Sequence, residues 1–381
     1  MSMRRVAPAI ALFFLSPLVA EFLLGDFTLA QLTFVLALAP AYGGAAVVIR
    51  ELTRRAGRGW PTIILLALAY GVIEEGLETQ SLFNPNYLHA HLLDHGFVPA
   101  LGIAIPWTLF VLSLHTVWSV STPIALVEEW TTRRVTPWLR LPGLVFFSGM
   151  AVAGAVFTFA ISYADGHFMA SPTQLTITSV VAAALIVTAF RLPRTTAPAS
   201  AAPASAAPAS AAPASAAPAS AAPAPVAPRP WVVLVAILVG GFVLFAGDAL
   251  PAGVGVVLLT VALAGAAVLI LRWSRRPGWD GRHRLATAAG ALLTYAWHGF
   301  LMQPVIASPP ALVLVSHAVF ALAAVLLVVA EARRVGARTA ASAEAGSAAV
   351  AEAGSAGVAE AGSLTSRNDR GVTWPMDNVT P

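Results

Sequence analysis

AGVGVVLLTVALAGAAVLIL, running from Ala252 to Leu271, is twenty residues without one ionisable side chain. At 1.5 Å of rise per residue such a helix is about 30 Å long, the thickness of a bilayer's hydrocarbon core. A helix that is apolar on every face has no water-exposed side, so this run predicts a membrane span. Nine further runs read the same way: 7–24, 30–49, 61–80, 103–127, 143–163, 174–190, 231–247, 285–306 and 311–330. The fold class follows as all-α, a polytopic transmembrane bundle of about ten helices.

Composition agrees. The chain has 381 residues, 58% hydrophobic and 10% charged, where a soluble domain carries roughly 25% charged residues. Too few charges remain to coat a water-facing surface. The net charge of +4 does not indicate a nucleic-acid partner, because the basic residues sit in short clusters between apolar runs; the expected partner is the lipid bilayer. All basic residues are arginine. With the abundance of Ala, Gly and Pro this suggests a GC-rich bacterial genome, and hence a bacterial cell membrane. The absence of cysteine excludes disulfides, thiolate metal sites and cysteine nucleophiles.

The arginines also predict orientation. They cluster at Arg4/Arg5, Arg50 to Arg58, Arg133 to Arg140, Arg191 to Arg229, Arg272 to Arg284 and from Arg333 onward. These are alternate connections, and the others contain no Arg. Ten spans place every cluster on one side, which the positive-inside rule makes cytoplasmic, with both termini inside. Arg4 and Arg5 before an apolar stretch also fit a signal peptide, with Ala20 near a cleavage site; the run is long enough to span, and an uncleaved first helix is the preferred reading.

Residues 194–229 are dominated by an Ala-Pro-Ala-Ser-Ala repeat in which frequent proline forbids a helix. They read as a disordered linker between a six-helix region, 1–193, and a four-helix region, 230–335. Residues 336–381, with three Ala-Glu-Ala-Gly-Ser copies, read as a disordered cytoplasmic tail.

Ionisable groups inside a span are costly and are functional candidates. The densest segment is Tyr70 to Tyr87, containing Glu74, Glu75 and Glu78. Glu74 and Glu78 share a helical face, whereas Glu75 points about a quarter-turn away. His115 heads a polar stripe with Ser119 and Thr122 in a helix interrupted by Pro123. His298, Glu21 and His317 complete the set. Counted along their helices, Glu21, Glu74, Glu75, His298 and His317 lie roughly 10 Å below the outer surface, with His115 nearer the midplane. The candidate catalytic residues are Glu74, Glu75, His115 and His298. Paired carboxylates with imidazoles suit Zn²⁺ with a water, general-base activation of water, or a proton relay; the sequence does not choose a metal or cofactor. His89, His91 and His95 in the outer loop are metal-ligand types at unspecific spacing. Arg50 to Arg55 reads as a headgroup-facing anchor, and Glu128-Glu129 as partners of Arg133 or Arg134.

Ser16 to Glu21, Ala41-Tyr42-Gly43-Gly44, Arg50-Glu51, Glu74-Glu75-Gly76-Leu77, Ser81 to Asn86 and His115 to Ser119 together resemble a group of uncharacterised bacterial and archaeal multi-pass membrane proteins, over roughly the first 140 residues. A more distant similarity is to the CAAX-protease and bacteriocin-processing family, whose Glu-Glu-x-x-x-Arg motif is matched by Glu74-Glu75 but has Thr79 at the Arg position. His115 and His298 stand for the later histidines. Val111 replaces the phenylalanine before the first, and neither is followed at the fourth place by Asn. That resemblance implies a Glu/His intramembrane hydrolase. The residues themselves read as an integral membrane protein of unassigned biochemical role with a polar Glu/His site in the outer half of the bilayer; the hydrolase and a proton-coupled transporter are its alternatives, with a structural membrane protein as a further class.

Overall fold

The computed structural model describes residues 3–194, 225–248 and 250–368, and the Ala/Pro/Ser repeat falls outside them. The helices are α1 (Met3–Pro17), α2 (Val35–Arg55), α3 (Trp60–Ile73), α4 (Ile105–Leu114), α5 (Thr122–Trp130), α6 (Leu141–Gly166), α7 (Pro172–Arg191), α8 (Pro230–Asp248), α9 (Ala252–Ser274), α10 (Gly281–His298) and α11 (Pro310–Asn368). Helices α4 and α5 are halves of one rod, joined by the π-helical turn His115–Ser121. A two-stranded hairpin, β1 (Phe97–Val98) with β2 (Ile103–Ala104), lies between α3 and α4. The bundle is all-α, as its apolar runs predict.

Nine helices among the described residues are long and apolar enough to cross a membrane. Helix α10 is the tenth candidate, and it differs most from the expected 285–306. It begins earlier because Asp280 accepts hydrogen bonds from the Arg282 and His283 amides at 2.9 and 3.4 Å, an N-cap. It ends after one 3₁₀ turn, Gly299–Leu301, because Pro304 disfavours helical geometry at the residue before it.

The bundle has an inside and an outside. The most apolar window of the Ile105–Trp130 rod is 78% buried, against 11% for α6. The rod, packed by α1, α2, α3 and α10, is therefore the centre, and α6 turns Val145, Val152, Val156 and Ile161 outward to meet lipid. Helices of equal apolarity gain nothing by leaving lipid for one another, so close approach and dispersion hold such a bundle. Helix α6 crosses α2 through small residues. A Cβ on Gly44 would stand 2.8 Å from the Ala151 amide nitrogen, and one on Gly154 would run into the Ala41 backbone. Gly154→Val is expected to lower stability by about 1–3 kcal/mol through overpacking, read as a drop in melting temperature of the detergent-solubilised protein relative to the lipid-facing Val152→Leu.

One sequence expectation changes here. Helix α2 continues to Arg55, and Arg50 is not a headgroup-facing anchor: it is wholly buried. Its guanidinium pairs with Glu51 at 2.6 Å and Glu128 at 3.1 Å, donates to the carbonyls of Arg133 and Arg134 and lies 3.6 Å from the Trp138 ring centroid. Arg54 also grips Glu128, at 2.6 Å. Glu129 does reach Arg134, at 3.8 Å, and more closely Arg284, at 2.5 Å. Sequence shows the charges; only packing shows that Glu128 sits where these two arginines meet. At the C-terminus the described backbone of α11 is helical as far as Asn368, and the Ala and Glu of its repeats are strong helix formers.

Candidate functional site

Three π-helical turns interrupt the central helices, at Leu18–Leu23, Glu74–Glu78 and His115–Ser121. They carry Glu21, Glu74 with Glu75, and His115. A π turn bonds i to i+5 and so leaves backbone groups to be satisfied in other ways. Pro123 has no amide hydrogen for the carbonyl of Ser119, and the Ser16 hydroxyl of α1 donates to that carbonyl instead. In the second turn the Glu74 carbonyl accepts the Thr79 amide at 2.8 Å and the Thr79 hydroxyl at 3.0 Å. The widened turn also re-aims the acids. Glu74 and Glu75 both reach His115, although regular helical spacing puts Glu75 a quarter-turn aside.

His115 bridges the two carboxylates. Its Nε2 hydrogen-bonds Glu75 Oε1 at 2.7 Å. Its Nδ1 lies 2.7 Å from Glu74 Oε2 but out of hydrogen-bond alignment, so that oxygen is buried without a hydrogen-bond partner. Ser119 Oγ is 3.3 Å from the same Nδ1. Glu75 is held at its far oxygen too, where Thr79 Oγ1 donates at 3.3 Å and Ser81 Oγ also donates. Trp107 Nε1 in turn donates to Ser81 Oγ at 3.2 Å. All three ionisable residues are buried, and one donor atom from each lies within 4.8 Å of the others. Tyr42 stacks on the imidazole and Tyr70 meets it edge-on, each with centroids 6.0 Å away. Gly71 permits this: its missing Cβ would stand 3.1 Å from the Cβ of His115.

The other candidates fall elsewhere. His298 stacks on Phe245 at 3.7 Å and is not part of the Glu74–Glu75–His115 group. His317 packs by Gly25 and Phe300. Glu21 accepts a hydrogen bond from Tyr42, which links it to the imidazole through the stacked ring. Just beyond the first span, burial and then the Glu21 carboxylate push the Asp26 carboxyl well above the usual range. Glu78 is buried and lines a narrow pocket with Thr79, Gln80 and Asn84. His91 and His95 line a cavity of about 630 Å³ whose inner wall is Trp107, and they form no metal-ligating group among the described residues.

The family model described as "Uncharacterized membrane protein family" matches residues 10–366. The chain belongs to that family. The match extends the resemblance from the first 140 residues to nearly the whole length, so the membrane assignment covers every span. No curated protein and no solved structure matches the chain. The family description names no protease, and a hydrolytic reading rests on the site alone.

The site residues that sequence reasoning missed are Tyr42, Tyr70, Thr79, Ser81 and Trp107. Tyr70, Thr79 and Ser81 lie in the segment already picked out for its acids. Tyr42 carries no chemical signal in one sequence beyond a hydroxyl inside an apolar run.

Proposed function

We propose that this family member is an intramembrane hydrolase in which Glu74, Glu75 and His115 activate water against a carbonyl carbon in a membrane-embedded substrate. The observation that carries this reading is the convergence of the three side chains within 4.8 Å. Their hydrogen bonds suggest roles. Glu75, held at both oxygens, orients the imidazole. Glu74, whose Oε2 has no hydrogen-bond partner, takes the proton from water as the new C–O bond forms. The same proton passes to the leaving group as the scissile bond breaks, through Glu74 or His115. His298 belongs to this centre only through the family resemblance. The arginine pattern supports placing the centre in the outer half of a bacterial cell membrane, with both termini cytoplasmic and the regions 1–193 and 230–335 joined by the 194–229 linker.

The test compares membranes from cells producing the wild type or Glu74→Gln. Wild-type membranes are expected to contain peptide or lipid fragments with new termini, reduced about 10²–10⁴-fold in the variant, the usual worth of a positioned general base. Identical fragment profiles, with both proteins present in equal amounts, would sink the hydrolase reading.

One observation favours a second reading, a proton-coupled carrier. Asp26, Glu21, Tyr42 and His115 form a polar line from a loop to the centre: the Asp26 amide bonds the Glu21 carbonyl at 2.9 Å, and Tyr42 joins Glu21 to the imidazole. Proton uptake by proteoliposomes that disappears in Glu21→Gln, with fragment profiles unchanged, would select it.

A further inference from the structure

The charge inventory of the buried centre does not close. Glu21 and Glu78 each lie within electrostatic reach of Glu74, Glu75 and His115. Among the described residues no arginine pairs with any of them, and the chain has no lysine. Glu74 and Glu75 thus share one imidazole, each at 2.7 Å, in a site walled by Tyr42, Tyr70 and apolar helix faces. An uncompensated charge in such surroundings costs several kcal/mol. Arg50, Arg54, Arg55, Arg134 and Arg284 are spent on the Glu51–Glu128 and Glu129 cluster, which belongs to a different part of the bundle.

We propose that Glu74, Glu75 and His115 bind one borderline divalent metal ion of the Zn²⁺ class. The inference rests on the water-activating reading of the same centre and adds the ion, which, with Glu74 as a ligand, would activate the water in place of the free Glu74 carboxylate. Donor chemistry chooses the class. Imidazole with carboxylates suits Zn²⁺ and its neighbours, whereas Mg²⁺ and Ca²⁺ prefer all-oxygen sites. Tetrahedral donors at 2.0–2.2 Å from an ion stand roughly 3.3–3.5 Å apart; Glu75 Oε1, now 2.7 Å from Nε2, needs only to open by under an ångström, and the donor atoms of Glu74, Glu75 and His115 already lie within 4.8 Å of one another. Glu74 Oε2 is the independent sign of a missing ligand, being buried, lacking a hydrogen-bond partner and directed at the imidazole.

The surroundings match what a metal-bound histidine and carboxylate require. Ser119 stands at Nδ1, which leaves Nε2 to bind the ion, and Thr79 and Ser81 hold the outer oxygen of Glu75. Such supports fix ligand orientation. Three protein ligands leave the fourth position for water, the arrangement of catalytic rather than structural zinc. The Tyr70 hydroxyl, buried without a partner and beside the imidazole, is the donor or acceptor for that water.

The test uses the full chain without a polyhistidine tag, purified in detergent, stripped with chelator and titrated separately with Co²⁺, Zn²⁺ and Mg²⁺. The expected result is one Co²⁺ per chain with the visible absorption of a four-coordinate ion, displaced by Zn²⁺ and not by Mg²⁺. Glu75→Gln, which keeps shape and hydrogen bonding, and His115→Ala are each expected to weaken Co²⁺ binding by about 100-fold or more, whereas the double change of His91 and His95 to alanine leaves it intact. Absence of stoichiometric Co²⁺, full binding in Glu75→Gln, or loss of binding only in the His91/His95 variant would overturn the proposal. Fragment production that survives chelation yet vanishes in Glu74→Gln removes the metal and keeps the hydrolase. Stoichiometric Co²⁺ with fragment profiles unaffected by Glu74→Gln does the reverse.

Discussion

Replacing Arg50 by alanine is expected to destabilise the protein by about 3–5 kcal/mol, the largest effect of any single change outside the Glu/His centre. The guanidinium is wholly buried and hydrogen-bonds four groups, Glu51, Glu128 and the carbonyls of Arg133 and Arg134, besides lying over the Trp138 ring. Removing it strands the others. Glu128 keeps Arg54, but Glu51 keeps only the distant Arg55, at 3.7 Å, and the amides of Trp138 and Leu139. The two carbonyls lose their donor, and the Trp138 ring loses its cation. Much of the cost is this stranding of buried charge, not the worth of the pair itself. Arg50→Lys recovers little, since an ammonium cannot span two carboxylates and two carbonyls at once. Unfolding of the detergent-solubilised variants by heat or by denaturing detergent measures this. An Arg50→Ala protein as stable as the wild type would show that the network adds nothing.

His115→Ala is expected to abolish fragment production, a fall of about 10²–10⁴-fold, and to lower stability as well. The imidazole bridges Glu74 and Glu75, and its removal leaves two buried carboxylates without the group they share. Tyr42 and Tyr70 also lose the ring they pack on. His115→Gln fills most of that space and supplies one amide donor, so it is expected to regain stability and not turnover. The two readouts separate chemistry from packing. Equal recovery of both in His115→Gln would make His115 a packing residue.

These expectations draw on information of different kinds. The spans were legible because a bilayer demands long apolar runs, and runs such as Ala252–Leu271 need no tertiary context to be recognised. Glu74, Glu75 and His115 were legible as costly residues in those runs, and His298 and His317 equally so. Their different fates were not. Regular helical spacing sets Glu74 with Glu78 on one face and Glu75 aside, and a π turn overrides it. Whether such a turn forms depends on groups far along the chain that satisfy its loose backbone, as Ser16 does for Ser119.

Arg50 makes the same point for charge. Its place near the end of an apolar run is what a headgroup anchor looks like, and nothing within Arg50–Arg55 says that Glu128, some eighty residues later, will meet it inside the bundle.

The sequence by itself determined that this chain lives in a membrane, which runs are long and apolar enough to cross it and which residues are too polar to be there without a reason. Those properties are set by composition and length against the bilayer. Only the tertiary structure decided that Glu74, Glu75 and His115 meet while His298 stands apart against Phe245. Lateral packing of helices of equal apolarity depends on small-residue crossings and backbone irregularities, and neither leaves a periodic mark in one sequence.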